Sequence, residues 1–188
     1  MPNYLLAHDL GTSGNKATLY SLDGKLVASK TVSYPTNFFK GNWAEQNPQD
    51  WWQAVCDSTK ALLAQVDPSE IAVVALSGQM MGCTIVDRQG QALRPSILYC
   101  DQRATAQADR ILDGLSLQEF YGIVGHRVSA SYSLEKLMWI RDNEPDLYRQ
   151  THRTLCAKDY INLRLTGQIA TDYSDASGTN AFDLNTFQ

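Results

Sequence analysis

A short polar turn near the amino terminus carries the side chains best suited to chemistry. Residues 9–16 read Asp-Leu-Gly-Thr-Ser-Gly-Asn-Lys and follow the mostly apolar residues 4–8, which are typical of a strand. Two glycines in a tight turn expose backbone N–H groups, and the threonine and serine hydroxyls add donors, which suits the oxygens of a phosphate. Mg²⁺ binds through one or two carboxylates together with water and phosphate oxygens. The pattern therefore predicts a turn that binds Mg²⁺ and the phosphates of a nucleotide.

Each residue of this turn has a predicted role. Asp9 is assigned to the metal, and the phosphate contacts are assigned to Gly11, Thr12, Ser13 and Lys16. The alternative is a hairpin turn with no ligand, because glycine-containing tight turns are common and the sequence is not a Walker loop. The remaining motifs of the chain have to decide between the two interpretations.

The spacing of apolar residues predicts the elements that position the turn. Strands at 17–21 and 26–31 flank Asp23-Gly24 and predict an antiparallel meander with the first strand. Asn47-Pro48 combines a capping side chain with a proline at the first helical position, which predicts a helix start. The apolar run at 71–76 indicates a strand that is buried on both faces. A further strand is predicted at 83–86, and helices near 104–112, 133–142 and 158–166.

Composition and charge exclude several classes of function. The 188 residues are 44% hydrophobic, and 16 basic against 20 acidic residues give a net charge of −4 without a Lys/Arg cluster. Nucleic acid is therefore not an expected partner. No apolar run approaches the ~20 residues that cross a bilayer and no secretory signal opens the chain, so we expect no membrane insertion and a cytoplasmic location. The 4 cysteines are far apart without a C-x-x-C pair, which disfavours a zinc or disulfide framework.

Several longer motifs follow the turn in a fixed order. They are Trp43-Ala44-Glu45-Gln46-Asn47-Pro48 with Trp51-Trp52, then Ser77-Gly78-Gln79-Met80, Ile97 to Arg103, Ser133 to Ile140, Lys158-Asp159-Tyr160 and Thr171 to Thr179. The opening hairpin resembles the first phosphate motif of the superfamily that joins actin, heat-shock chaperones and sugar kinases. Together with the later motifs, it makes the chain similar over essentially its whole length to the FGGY carbohydrate kinases, and among these to the xylulokinases.

This resemblance implies a fold and an activity. The fold would be a ribonuclease H-like α/β unit with a mixed five-stranded sheet flanked by helices, and residues 1–188 would form an incomplete amino-terminal domain of a two-domain kinase. The activity would be transfer of the ATP γ-phosphoryl group to a sugar hydroxyl with Mg²⁺. The sequence leaves the oligomeric state open, with a homodimer as one option. The family's general base is an aspartate in a Gly-Asp motif that is expected beyond residue 188. No catalytic residue is therefore assigned in this chain, and the piece alone is expected to be inactive.

Six residues are candidates for the sugar side of the site: Gln79, Met80, Met81, Tyr99, Asp101 and Arg103. Xylulokinases typically read Gly-Gln-Met-His-Gly in the first of these segments, whereas this chain has Met81 in place of the histidine. A thioether lacks the hydrogen-bonding nitrogens of an imidazole, so the sugar stays open among ketoses, polyols and aldonates. The Arg-Glu pair of glycerol kinases is missing, and Tyr99 stands where they have a tryptophan, which argues against glycerol.

Simpler structural roles compete with these assignments. The two methionines fit core packing, Tyr99 a buried strand, and Asp101 with Arg103 a structural ion pair. Lys136 is expected to pack its helix against neighbours with its stem reaching solvent. The alternative function is binding of sugar or nucleotide without turnover, or a non-kinase ATPase of the same superfamily. The motifs at 43–52 and 133–140 favour the kinase.

Overall fold

The computed structural model describes residues 3–188, which fold as a mixed α/β unit. The strands are β1 Tyr4–Leu10, β2 Gly14–Ser21, β3 Leu26–Ser33, β4 Asn37–Phe39, β5 Trp43–Gln46, β6 Ile71–Gly78, β7 Thr84–Val86, β8 Ser96–Ile97 and β9 Arg153–Leu155. The helices are α1 Pro48–Leu63, α2 Thr105–Gly114, α3 Leu117–Val124, α4 Ser133–Asn143, α5 Pro145–Gln150, α6 Ala157–Thr166 and α7 Tyr173–Ser177, and Pro68–Glu70 forms a 3₁₀ turn.

The main sheet has the strand order β3-β2-β1-β6. β1 and β2 are antiparallel, as are β2 and β3, so the predicted meander is confirmed. β6 returns parallel to β1, which makes the sheet mixed. Alternate residues of β1 and β2, among them Leu6, Leu10, Ala17 and Leu19, are buried, as the two-residue period of a strand requires.

Helix α1 covers one face of this sheet. The Asn47 side chain accepts a hydrogen bond from the Gln49 N–H and caps the helix, and Pro48 occupies the first turn, so the predicted helix start is confirmed. Trp51, Val55 and Leu62 recur at helical spacing and are buried. The helix therefore supports the strands on both sides of the residue 9–16 turn.

Two expectations about the sheet are wrong. The main sheet of the described residues has four strands and not five, because the short strands β7 and β9 pair with each other in a separate sheet. β6 is not buried on both faces, since Val73 and Val74 are 51% and 44% exposed. β6 is an edge strand within residues 3–188, and its continuous apolar run alone could not distinguish an edge position from a central one.

The carboxy-terminal half is mostly helical, as its sequence predicts. Helices α2, α4 and α6 occupy the three predicted positions, and α3, α5 and α7 were not predicted. The segment Thr171 to Thr179 contains α7, whose N-cap Asp172 accepts hydrogen bonds from the N–H groups of Ser174 and Asp175. Within residues 3–188, every helix is too short or too polar to cross a membrane.

Candidate functional site

The turn of residues 9–16, hereafter the phosphate turn, has its carbonyl groups directed into the protein. The Gly11 carbonyl accepts from the Tyr34 hydroxyl at 2.5 Å. The Thr12 carbonyl accepts from Gln46 Nε2 at 2.6 Å and from Thr36 Oγ1 at 3.3 Å. The Ser13 carbonyl accepts from the Tyr34 N–H at 3.3 Å. Three successive carbonyls are thus held by residues that follow β3 or belong to β5.

Because a trans peptide places its N–H opposite its carbonyl, this arrangement turns the following N–H groups away from the supporting residues. Among the described residues, the N–H groups of Thr12 and Ser13 have no hydrogen-bond acceptor. Successive N–H groups in such a turn form a concave site for an anion. The orientation of these peptides is therefore the one that a phosphate requires.

The charged side chains of the phosphate turn are accessible. Asp9, Ser13 and Lys16 are exposed, whereas Leu10 and Asn15 between them are buried. Asp9 and Lys16 are cross-strand partners in the β1–β2 register, so both project from the same face of the sheet. Neither forms an ion pair within 4.0 Å with any residue in the described part of the chain. The charges of Asp9 and Lys16 therefore remain available to a ligand. The Asp9 charge also acts on Tyr34, because burial of the phenol together with the nearby carboxylate raises the pKa of Tyr34.

Gly14 allows the turn to pack closely against β3. A Cβ atom at this position would lie 2.8 Å from the Val32 carbonyl oxygen and 3.0 Å from the Ser33 Cα. Backbone atoms cannot move aside as a flexible side chain can, so any larger residue would push the turn away from its support. The close approach explains the second glycine of the motif.

The segment of residues 78–82, hereafter the sugar loop, starts beside the phosphate turn. β1 and β6 are parallel, and Leu10 at the end of one strand is in register with Gly78 at the end of the other. The Gln79 N–H donates to the Leu10 carbonyl at 2.8 Å. The carboxyl ends of adjacent parallel strands are the usual place for a ligand in α/β proteins. The predicted phosphate and sugar residues therefore lie next to each other.

Met81 in the sugar loop has a strained backbone with φ of 59°. A left-handed conformation costs a non-glycine residue about 1–2 kcal/mol, so the surroundings must hold it. Lys136 Nζ donates to the Met81 carbonyl at 3.0 Å, and Ser133 Oγ donates to the Gly82 carbonyl at 2.8 Å. Both donors belong to the first turn of α4, so this helix holds the backbone of the sugar loop.

Lys136 is buried, and the expectation that its stem reaches solvent is wrong. Its relative exposure is 0%, and its ammonium also donates to the carbonyls of Ser131 and Tyr132. Burial lowers the pKa of this lysine to about 8. The ammonium group donates to three backbone carbonyls and to no carboxylate. Lys136 therefore holds the sugar loop in place and does not form a salt bridge.

This buried lysine makes stability depend on pH in a definite direction. Between pH 8 and about 10.5, the unfolded chain keeps the Lys136 proton and the folded chain loses it. The unfolded state then binds more protons, so the contribution of this group to the free energy of unfolding increases with pH in that window. We expect wild type to gain stability relative to Lys136→Met between pH 7.5 and 10, as measured by urea unfolding. Exposed Lys60→Met is the matched control, and a pH-independent difference for Lys136→Met would refute the prediction.

Asp101 and Arg103 form a buried ion pair, which is a correction to their assignment as sugar contacts. Both side chains are 0% exposed. Asp101 accepts from Arg103 Nη2 at 2.7 Å and Nε at 2.9 Å, and also from the Ala44 N–H at 2.6 Å. The guanidinium lies 3.9 Å from the centre of the Trp43 ring. Since neither side chain reaches the surface, the pair supports the β5 segment and does not contact a sugar.

The other candidates keep an accessible position. Met80 and Tyr99 are 39% and 38% exposed, so the alternatives of a core methionine and a buried tyrosine do not hold for them. Tyr99 follows β8, whose Ile97 pairs with Cys83 directly after the sugar loop. Met80 lies against the end of α7, where a Cβ on Gly178 would come within 3.3 Å of its Cε. Gln79, Met80, Met81 and Tyr99 remain predicted sugar contacts.

A second polar cluster consists of residues at the start of α6 and in α7. Cys156, Asp159 and Asp175 have potential ligand atoms within 4.8 Å of one another, and all three are buried. Lys158 Nζ lies 2.8 Å from Asp159 and 3.0 Å from Asp175, so an ammonium already neutralises the carboxylates. Burial raises the pKa of Cys156 to about 12, which keeps its thiol protonated. The cluster therefore joins α6 to α7 and is a poor metal site.

Comparison with known proteins decides the family. Residues 4–188 match the model for the FGGY family of carbohydrate kinases, N-terminal domain. The chain belongs to the FGGY family. It is 38% identical to xylulose kinase from Escherichia coli (strain K12) over 94% of its own length and 36% of that protein. It is 29% identical to gluconokinase from Bacillus subtilis (strain 168), over 98% and 36% of the two chains.

The structural comparison agrees with the FGGY assignment. The ligand-bound xylulose kinase from Lactobacillus acidophilus superposes with a TM-score of 0.92 at 29% identity, covering 98% of this chain and 38% of that one. A gluconate kinase from the same organism has the same TM-score and identity, covering 98% of this chain and 37% of that one. The predicted actin-like α/β fold class is confirmed, and the chain spans little more than a third of its FGGY relatives.

Several supporting residues of this FGGY domain escaped sequence reasoning. Tyr34, Thr36 and Gln46 hold the carbonyls of the phosphate turn, although they lie 23, 24 and 34 positions from their acceptors. Gln46 lies in a motif that was noticed, but nothing in its spacing indicates its partner. Lys136 was expected to reach solvent, although the apolar residues Leu134, Leu137 and Met138 around it are a signal that could have indicated burial.

Proposed function

We propose that the intact protein transfers the γ-phosphoryl group of ATP to a hydroxyl group of a sugar, and that residues 9–16 form the metal and phosphate wall of its site. The observation that carries this proposal is the inward orientation of the Gly11, Thr12 and Ser13 carbonyls. It presents N–H groups beside an exposed carboxylate and an exposed lysine. Membership of the FGGY family supports the same activity.

Each group of the phosphate turn has a role that suits this reaction. Phosphoryl transfer depends chiefly on positioning and on neutralising the charge of the phosphate oxygens. The N–H groups of Thr12 and Ser13 donate to those oxygens, and Lys16 adds a positive charge. Asp9 holds Mg²⁺, because an exposed carboxylate without an ion-pair partner among the described residues fits a hydrated cation. Bound Mg²⁺ would supply further charge neutralisation.

The proposed sugar contacts are Gln79, Met80, Met81 and Tyr99. Gln79 Oε1 is buried and has no hydrogen-bond donor within residues 3–188, which leaves an acceptor to be satisfied by a ligand or by another part of the protein. Met81 offers an apolar surface where xylulokinases carry a histidine, so the proposed substrate stays open among ketoses, polyols and aldonates. Xylulose and gluconate are the first choices, because relatives named for them match the chain.

A substrate panel tests this proposal. The intact protein is incubated with MgATP and xylulose, other ketoses, gluconate or glycerol, and both ADP and phosphorylated sugar are quantified. We expect one ADP for each phosphorylated sugar, with xylulose or gluconate well ahead of glycerol. ADP release without phosphorylated sugar would favour an ATPase of the same superfamily. Absence of both products with every sugar would favour a non-catalytic binding protein.

A further inference from the structure

Gln46 connects the phosphate turn to the sugar loop through a single side chain. Its Nε2 donates to the Thr12 carbonyl at 2.6 Å and to Thr36 Oγ1 at 2.7 Å. Its Oε1 accepts from Trp51 Nε1 at 2.9 Å and from Gln79 Nε2 at 2.8 Å. The residue is 2% exposed, so water does not substitute for these partners. All four hydrogen bonds that an amide of this kind can form are therefore made within the protein.

The partners also fix the orientation of the amide. An indole N–H can only donate and a backbone carbonyl can only accept, so Oε1 must face Trp51 and Nε2 must face Thr12. The same logic extends to Gln79, whose NH₂ group must face Gln46 Oε1. The two ends of the network thus have one consistent arrangement of donors and acceptors.

The consequence concerns the distance between the two ligand-binding segments. The bond to the Thr12 carbonyl sets the direction of the Ser13 N–H on the phosphate turn, since both belong to one planar peptide. The bond from Gln79 sets the side chain that opens the sugar loop. If either segment moved alone, its buried hydrogen bond to Gln46 would break.

We propose that Gln46 is a positioning residue that holds the phosphate turn and the sugar loop in a fixed relation, so that the phosphoryl group and the sugar hydroxyl meet in line. This inference rests on the proposed kinase function. Gln46 contacts no substrate itself and acts through the Thr12 to Ser13 peptide and through Gln79. Its role is in the rate of transfer, because a misplacement of about 1 Å can cost about 100-fold in rate.

Gln46→Glu separates the two connections with almost no change in shape. A glutamate oxygen at the Oε1 position still accepts from Trp51 and Gln79, so the sugar loop keeps its anchor. In the ionised glutamate the other carboxylate oxygen would face the Thr12 carbonyl, where two acceptors repel each other, so the phosphate turn loses its anchor. Gln46→Met keeps the length of the side chain and removes both connections.

The experiment measures kcat and KM for MgATP and for the best sugar of the panel in the intact protein. For Gln46→Glu we expect kcat to fall about 10-fold to 100-fold while the KM for the sugar stays within about threefold. For Gln46→Met we expect a similar loss of kcat and a higher KM for the sugar. Exposed Gln65→Glu makes the same chemical change just after the end of α1 and is expected to leave both constants unchanged.

A second readout keeps the inference separate from the proposed function. The Ser13 backbone amide and the Gln79 side-chain amide are followed by NMR, with melting temperatures to confirm folding. We expect Gln46→Glu to shift the Ser13 signal strongly and the Gln79 signal weakly, whether or not any sugar is phosphorylated. Unchanged Ser13 signals, or an unchanged kcat in an active enzyme, would overturn the positioning role. A wild type that phosphorylates no sugar, with the expected NMR shifts, would instead refute only the proposed function.

Discussion

Replacing Asp9 with alanine is expected to lower kcat of the intact protein by about 1000-fold or more while leaving its fold unchanged. A metal-positioning carboxylate acts mainly on the charge that develops during transfer, and a loss of about 4 kcal/mol of that stabilisation corresponds to about 1000-fold in rate. The fold should survive because Asp9 is exposed and makes no ion pair with another described residue. Steady-state kinetics with saturating MgATP and sugar measure the effect.

The control for this variant removes a carboxylate elsewhere. Asp113 near the end of α2 is exposed, so Asp113→Ala changes the net charge equally without touching the phosphate turn. We expect its kcat to equal that of wild type. Equal kcat values for Asp9→Ala and wild type would show that Asp9 does not hold the metal.

The largest expected effect on stability is that of Arg103→Leu, about 3–5 kcal/mol in the free energy of unfolding. The substitution leaves the buried Asp101 carboxylate without its guanidinium partner. Arg103 Nη1 also lies 2.7 Å from Glu45 Oε1. This contact is an ion pair without a hydrogen bond, because the Nη1 hydrogens do not point at that oxygen. The ring contacts with Trp43 and Trp139 are lost as well. Urea unfolding of the intact protein measures the change.

Arg110→Leu is the matched control for this prediction. Arg110 pairs with Asp142 at 2.8 Å, but its side chain is 46% exposed. Water screens such a pair, so its loss should cost about 1 kcal/mol or less. Similar losses for the two variants would contradict the buried structural role of Arg103.

The sequence predicted the local elements around the site because their signals are local. The three strands of the meander, the capped start of α1 and the phosphate turn each depend on residues within a few positions of one another. Glycines, a capping asparagine and alternating apolar residues act at that range. The family resemblance then added the order of the motifs, which the FGGY match confirms.

The parts that sequence reasoning missed depend on contacts between distant residues. Whether Asp101 and Arg103 faced a sugar or each other depended on their burial beneath Trp43, which spacing does not encode. The role of Gln46 depends on a carbonyl 34 positions away. The edge position of β6 depends on which strands join the sheet, and apolar content does not determine this.

The central claim is that the phosphate turn binds the metal and phosphates of a nucleotide, and paramagnetic NMR tests it most directly. Mn²⁺ replaces Mg²⁺ in complex with ATP, and broadening of backbone amide signals reports their distance from the metal in the intact protein. We predict that Thr12 and Ser13 are among the most strongly broadened amides and that Asp9→Ala removes the effect. Broadening centred on Cys156, Asp159 and Asp175, or no specific broadening, would contradict the claim.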